Sequence, residues 1–580
     1  MSSEDLIALF RQRVATEPTA IAVQDRYFTL TYSELERWSN NLGHEIFFRL
    51  KNTAGSGTVA ICIPRSVLFV VSVLAVIKAG FSYIPLDPSA PPARLDDQVL
   101  QSDARLLLTR SGHQLTSLGR AIPFDIVPFM ERTCIFGHTE LPSSCLNSRN
   151  DTLVILFTSG STGRPKGVLI QHLSMVNMVK ARLLEIQPGD CVAMVNNITF
   201  DASSLEIWSA LCHGGTLFVL TAHLADTEAV VAFFVDNSIT KTFLPTAVFH
   251  HVISDVSNAA SLSKTLRMLV VGGEKLQTAA VKKFFSHAPT TRLVNLYGPT
   301  ETTIYITTFE IPMDNFDYDD SLSRPIPIGR CLPNTTVYLL DDKLRPVEPG
   351  HPGEICIGGA GLSAGYLGQA DITSSSKFEE DGSSTRVYRT GDIGRFIPSV
   401  DGPLLEFIGR NDNQVKIRGQ RLEPGEIEAV LCAGSDGIDQ AAVVVTADDQ
   451  IIAYSVVETH HARDLTVKLH DRCREKLPSY MVPHRIIVKA SLPLTGNGKV
   501  DRRMLAESSM WAESLLLGAQ SELCHPENDI QAQVQECIAK VLHEEPLKVV
   551  IHKILRLSSL NPHYCFSNYH RSLFKPTLSL

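Results

Sequence analysis

Ten residues, Thr158-Ser-Gly-Ser-Thr-Gly-Arg-Pro-Lys-Gly167, gather the groups that hold a polyphosphate. Gly160, Gly163 and Gly167 let backbone N–H groups approach an anion closely. The hydroxyls of Thr158, Ser159, Ser161 and Thr162 add donors, and Lys166 adds a point charge. The order is not that of a Walker loop, which needs Gly-Lys-Ser/Thr at the opening of a helix; here Pro165 precedes the lysine and Gly167 follows it. A polar surface loop is the plain alternative for a Ser/Gly run. The strand-like DTLVILF directly ahead and the completeness of the ten-residue run argue against it.

The elements around this loop read as layered α/β structure. From Met1 to about Val400, apolar strand-like runs (Asp151 to Phe157, Leu217 to Leu220, Leu269 to Val271) alternate with helical stretches and Gly/Pro turns. Asp381 to Thr385 and Ser399 to Pro403 read as local turns. Beyond Gly409 the character changes to strand-like VKIRG, helical EPGEIEAVLC, then AAVVVTADD and IIAYSVV, which predict a smaller α+β domain ending near Leu505. The predicted division is a large domain over 1–409, a lid over 412–505, and a linker with an incomplete tail over 506–580. A helix is expected at Ile530 to Leu542.

Composition bounds the function. The 580 residues are 44% hydrophobic and 20% charged, which allows a large core without disulfides. A net charge of -9 leaves no basic excess for neutralising nucleic-acid phosphates. Twelve cysteines without a C-x-x-C pair exclude zinc-site spacing and point to reduced, buried thiols. The start, MSSEDLIALF, is too acidic and its apolar run too short for a signal peptide. Val67 to Ile77, the most apolar stretch, is far shorter than the roughly 20 residues that cross a bilayer and reads as a core helix. A cytoplasmic enzyme that does not engage membranes or nucleic acid is the expectation.

The phosphate loop is one of an ordered set of motifs. LTYSEL at Leu30, KAGFSYIPLDP at Lys78, FDASSLEIW at Phe200 and NLYGPTETT at Asn295 are followed by GEICIGGAGLSAGYLG at Gly353 and YRTGD at Tyr388. GRNDNQVKIRGQRLEPGEIE at Gly409, LPSYMVP at Leu477 and LPLTGNGKVDRR at Leu492 complete the set. In order and spacing, over about residues 1–505, the chain resembles the adenylate-forming enzymes, and among them the adenylation domains of nonribosomal peptide synthetases.

That resemblance implies ATP-dependent activation of an amino-acid carboxylate with release of pyrophosphate. It implies that Thr158 to Lys166 hold the β- and γ-phosphates and that Glu301 binds Mg²⁺. Asn295 would hydrogen-bond adenine, Tyr297 would stack on it, and Thr300 would join the nucleotide site. Asp392 would accept both ribose hydroxyls, with Arg410 beside it. Lys499 would bridge the substrate carboxylate and the α-phosphate, although a lysine in a Gly-rich loop is otherwise a solvated surface group. Asp412 would be the hinge about which the lid turns.

The resemblance also places Asp201 against the substrate ammonium, with an N-cap role for the helix SSLEIW as the competing reading. Ala202, Leu205, Phe243, Val270, Gly272, Leu296, Ile304 and Tyr305 would line the side-chain pocket. With Asp201 and Lys499 its sole charged groups, that pocket predicts an apolar substrate. Leu296, Phe243 and Tyr305 favour a branched aliphatic chain, while Gly272 and Ala202 leave room for an aromatic ring. Asn528 to Glu545 resembles the first helix of a carrier domain, but no phosphopantetheine-attachment serine follows, so a carrier on another protein is the expected acceptor. A free-standing acyl- or aryl-CoA ligase and a non-catalytic remnant binding a partner synthetase are the alternatives.

Overall fold

The structure, a computed structural model, describes residues 5–51, 57–110, 121–133, 151–160, 164–313, 325–368, 377–380, 383–412, 414–417, 420–433, 438–446, 449–457, 462–489, 491–493 and 500–506. The expected helix at 530–542 lies outside them. Residues Met1–Leu492 form one compact unit and Pro493–Leu580 a second. In the second, a short helical turn over 502–506 follows Asp501, whose Oδ1 accepts the Met504 N–H at 3.0 Å.

DTLVILF is the strand Thr152–Thr158, and its alternation with helical segments continues through the first unit. It joins a six-stranded sheet whose strands are parallel until the last pair, where Thr152–Thr158 turns back antiparallel on Lys166–Gln171. The phosphate loop is therefore the tip of an edge hairpin, with Thr158 opposite Lys166. A nine-stranded sheet carries six consecutive parallel strands, among them Cys191–Met194, Lys241–Pro245, Met268–Gly272 and Arg292–Tyr297. Phe243, Val270 and Val294 lie in one register row across it, with Gly272 opposite Leu296.

The two sheets share an interior. One apolar cluster contains Val59, Ile61, Leu106 and Leu108 from the six-stranded sheet and Val192, Met194, Leu217 and Val270 from the nine-stranded one. The helix Val67–Lys78 belongs to the same cluster with every residue buried, as an apolar surface all round demands. Its last residue, Lys78, keeps its buried charge paired: the ammonium donates to Ser39 Oγ at 2.6 Å and Asn40 Oδ1 at 2.9 Å, and meets the Glu36 carboxylate. The helix Tyr32–Leu50 that supplies these partners opens with a capping box between Thr31 and Glu34.

A four-stranded antiparallel sheet, Thr335–Leu340, Gly353–Gly359, Tyr388–Ile397 and Leu404–Arg410, closes the larger part of this unit. The turn expected at Ser399 to Pro403 links its last two strands and bends at Gly402, φ +103°. Of the turn expected over Asp381 to Thr385, residues 381 and 382 lie outside the described residues, and the rest is not a turn. Ser383–Arg386 is a strand paired with Lys377–Glu380, because cross-strand hydrogen bonding overrides the turn preference of consecutive serines.

After Arg410 the chain forms the two-stranded hairpin Val415–Ile417/Gln420–Leu422, the helix Pro424–Cys432, and the strands Ile438–Val445, Ile451–Val457 and Arg485–Lys489 of one sheet. These elements have an apolar core of their own, built on Leu422, Ile427, Leu431, Val443, Ile451 and Leu469. The fold is mixed α/β, a large N-terminal layered part followed by a smaller α+β part.

Candidate active site

The phosphate loop tolerates no side chain where it turns. A Cβ on Gly160 would stand 1.9 Å from the Arg164 carbonyl oxygen, so only glycine permits the turn. Ser159 is buried and donates its hydroxyl to the Arg421 carbonyl at 3.1 Å. The Thr158 hydroxyl lies 3.5 Å from the Lys166 carbonyl, and the Lys166 ammonium lies 5.7 Å from the centre of the Tyr366 ring. Ser161, Thr162 and Gly163 lie outside the described residues.

Four residues expected around the nucleoside converge on the last strands of the four-stranded sheet. Asp392 is buried, with Oδ2 accepting the Tyr297 hydroxyl at 2.6 Å and Oδ1 paired with the Arg410 guanidinium. Each carboxylate oxygen keeps a further lone pair, which is what two ribose hydroxyls require. The Tyr297 ring lies 6.4 Å from that of Phe407, and Asn295 is buried two residues earlier, its amide donating to the Pro327 carbonyl at 2.9 Å. Arg410 also grips Asp412 through two bonds of 2.7 Å. Burial pushes the Asp412 carboxyl up, but this fork outweighs it and holds the group below the usual range. Gly391, φ +72°, leaves the space, since a Cβ there would sit 2.7 Å from Asp412 Oδ2.

Glu301 lies on a single helical turn, Thr300–Thr302, and is only 3% exposed. Its Oε1 accepts the Tyr366 hydroxyl at 2.7 Å, and Arg421 Nη1 reaches both carboxylate oxygens, at 2.8 and 3.0 Å. Burial would raise this carboxyl, yet the Arg421 charge and the Tyr366 bond prevail and keep it low, hence ionised. A buried anion held by one exchangeable cation fits a site for Mg²⁺, which takes one or two carboxylates and fills its shell with water and phosphate oxygens. Among the described residues there is no cluster of three or more His, Cys, Asp or Glu.

The eight residues expected to line the side-chain pocket come together in the interior. Ala202, Leu205, Phe243, Val270, Leu296, Ile304 and Tyr305 are buried in one cluster, with Gly272 on the adjoining strand end. The Phe243 and Tyr305 rings meet at 5.4 Å, tilted by 46°. A Cβ on Gly272 would stand 2.8 Å from the Leu296 carbonyl oxygen and 3.1 Å from Tyr305 Cε1, so only glycine fits between these neighbours. Thr303 and Ile304 both take positive φ, +60° and +75°, a costly conformation for β-branched residues, just ahead of the buried Tyr305.

Asp201 begins the helix Asp201–His213, but the N-cap is Phe200 and no side chain caps it. The competing N-cap reading of Asp201 therefore fails. Burial pushes its carboxyl up to about 6, against the Thr300 hydroxyl and the Ala202 N–H, which favour the ion. Three further functional candidates were not singled out in the sequence: Tyr366, Arg421 and Lys416. Lys416, half-buried in the strand Val415–Ile417, has its ammonium pushed down by burial while the charges of Asp392 and Asp201 pull it up. Its signal was a lysine between two apolar strand residues. Lys499 lies outside the described residues.

These motifs match known proteins. The family described as AMP-binding enzyme matches residues 10–367, and its C-terminal domain matches 426–499. The chain belongs to the AMP-binding enzyme family. Its adenylation-domain sequence is 34% identical to bacitracin synthase 1 of Bacillus licheniformis over 94% of this chain and 10% of that protein. It is 37% identical to malpibaldin synthetase of Mortierella alpina over 86% of this chain and 9% of that one. The chain thus spans about a tenth of the length of these relatives. Among solved structures, holo-PA1221, a nonribosomal peptide synthetase protein with adenylation and PCP domains, superposes with a TM-score of 0.74 at 26% identity, over 94% of each chain. The o-succinylbenzoate CoA synthetase of Bacillus subtilis shares the fold, with a TM-score of 0.73 at 19% identity over 86% of this chain and 98% of that one.

Proposed function

We propose that this AMP-binding enzyme converts a small or branched apolar α-amino acid and ATP into the aminoacyl-adenylate and pyrophosphate. A half-buried carboxylate, Asp201, at the start of a helix whose next residues are buried and apolar carries this reading. An α-ammonium entering that site requires an anion, and Asp201 supplies it. Phe243 and Tyr305 then limit the side chain to aliphatic size.

In the reaction a substrate carboxylate oxygen attacks the α-phosphorus, and the bond from that phosphorus to the bridging oxygen breaks, leaving pyrophosphate with the electron pair. Asp392 is proposed to hold the ribose and Tyr297 to stack on the adenine, with the Thr158–Lys166 loop holding the departing phosphates, so that the attacking oxygen is aligned. Glu301 would hold Mg²⁺, which neutralises phosphate charge when bound. Lys499 is proposed to offset the two meeting negative charges, and Asp412 to let the part after Arg410 turn between the two half-reactions. The adenylate is then proposed to pass to a phosphopantetheine thiol on a carrier protein supplied in trans, in nonribosomal peptide synthesis. Similarity to adenylation-PCP proteins supports the carrier.

Trapping with hydroxylamine tests the substrate class. Aliphatic amino acids are expected to yield hydroxamate while the corresponding deamino acids do not. Hydroxamate from aryl or fatty acids alone would contradict the reading.

A further inference from the structure

No side chain caps the start of the helix Asp201–His213, so the first turn, which carries Asp201, is fixed from elsewhere. Glu206, in the same helix, is fully buried. Its Oε1 accepts the Val195 N–H at 3.1 Å and the Asn196 side-chain amide at 2.7 Å, and its Oε2 accepts the Asn196 N–H at 3.3 Å. These bonds close residues 195–206 into a loop with Asp201 near its middle. Inside it, Asn197 Oδ1 accepts the Thr199 N–H at 3.0 Å, and the Ser203 hydroxyl donates to the Phe200 carbonyl at 2.7 Å. The carbonyl side of the same peptides is held by Arg65, which lies between the strand Thr58–Cys62 and the helix Val67–Lys78. Its guanidinium donates to the carbonyls of Val195, Asn196, Leu220 and Ala222, the last at 2.8 Å. Burial pushes the Glu206 carboxyl up to about 7, against its N–H donors and the Arg65 charge, which favour the ion. The charges of Asp201 and Glu206 both act on Tyr305, a proposed pocket residue.

We infer that Glu206 is a positioning residue for ammonium recognition: by tying the loop 195–206 to the end of the strand Cys191–Met194, it holds Asp201 where an α-ammonium meets it. The inference rests on the reading of Asp201 as the ammonium partner. A recognition group has to be kept within roughly 0.5 Å of its productive place by the bonds behind it. The uncapped helix start supplies no such bond of its own, and the Glu206 carboxylate supplies three. None of these bonds runs to the Thr158–Lys166 loop or to Asp392, so loss of the tie should loosen Asp201 and spare the nucleotide.

The test is how well the full chain and its Asp201→Asn, Glu206→Gln and Asn196→Ala variants tell an amino acid from its deamino acid, at about pH 8, where both carboxyls are ionised. The amino acid is whichever of alanine, valine, leucine and isoleucine drives most ATP–pyrophosphate exchange. Its KM is set against the inhibition constant of the deamino acid. The parent protein is expected to prefer the amino acid, and Asp201→Asn to lose that preference. Glu206→Gln is expected to lower it about tenfold through the KM of the amino acid alone, with the KM of ATP and the affinity of the deamino acid within about twofold of the parent values. Asn196→Ala removes one donor and keeps the carboxylate, which guards against a misfolded glutamine variant. It should lower the preference about threefold. Equal weakening of amino and deamino acids in whichever variant folds, or a parent-like preference there while Asp201→Asn loses it, would overturn the positioning role and leave the Asp201 reading standing. Undiminished preference in Asp201→Asn would overturn both.

Discussion

Asp201 is a carboxyl whose ordinary value burial raises to about 6, and the sign of its pH dependence follows from that. In the free protein its ionisation opposes folding, so it lowers stability as pH rises from about 4 to about 6 and then contributes no further change. Substrate binding needs the ionised form. Because kcat/KM reports the free enzyme, it should fall about tenfold between pH 7 and pH 5. Asp201→Asn should lose that limb and show low activity throughout. Thr300, Lys416, Glu301 and Tyr305 face Asp201 or act on its charge, so the limb should shift down in pH if any anionic neighbour is neutralised. A flat profile in the parent protein would count against Asp201 as the ammonium partner.

Tyr305 packs beside Gly272 and meets Phe243, and is proposed to limit the pocket's size. Tyr305→Ala should cost roughly 3–5 kcal/mol of stability, read from denaturant midpoints, and should move adenylation preference toward phenylalanine-sized substrates. That the expected pocket residues are buried was legible from their apolar character. The positive φ at Thr303 and Ile304 was not legible, because nothing in the residue types there calls for it. Tyr366 and Arg421 were missed for a related reason: they meet Glu301 across 65 and 120 positions, and no local spacing encodes that meeting.

The helices Pro92–Gln101 and Pro424–Cys432 are joined by an ion pair, Arg94 Nη1 to Glu426 Oε1 at 2.7 Å, with side chains 9% and 2% exposed. Removing one partner from such a buried pair costs about 3–5 kcal/mol, here charged to the arrangement that docks the part after Arg410. Arg94→Glu should slow transfer to a carrier thiol more than ATP–pyrophosphate exchange, and combining it with Glu426→Arg should recover part of the loss. Failure of the reversed pair to recover any transfer would make the contact incidental. Asp412→Pro should likewise harm transfer more than exchange, since its carboxylate is held by Arg410 and accepts the Gln414 N–H at 3.1 Å. Lys499→Ala should cut exchange at least about tenfold with the melting temperature unchanged. Elements with a strong pattern, such as Val67–Lys78, were legible to within a residue or two. Ser383–Arg386 was not, because its strand identity comes from its partner rather than from its own residues.

At the scale of the fold, two sheets with a common interior carry the proposed pocket residues and the phosphate hairpin, while a part with its own apolar core supplies Lys416 and Arg421. The alternation of strands and helices made the α/β class legible. Similarity to segments of peptide synthetases is consistent with the chemistry of the site, and the chain's own residues decide which acid it takes. The most direct measurement is ATP–pyrophosphate exchange across the twenty common amino acids and their deamino analogues. Exchange confined to aliphatic amino acids, and lost in Asp201→Asn, is the predicted result. Exchange driven by a deamino acid as well as by its amino acid, or undiminished in Asp201→Asn, would contradict it.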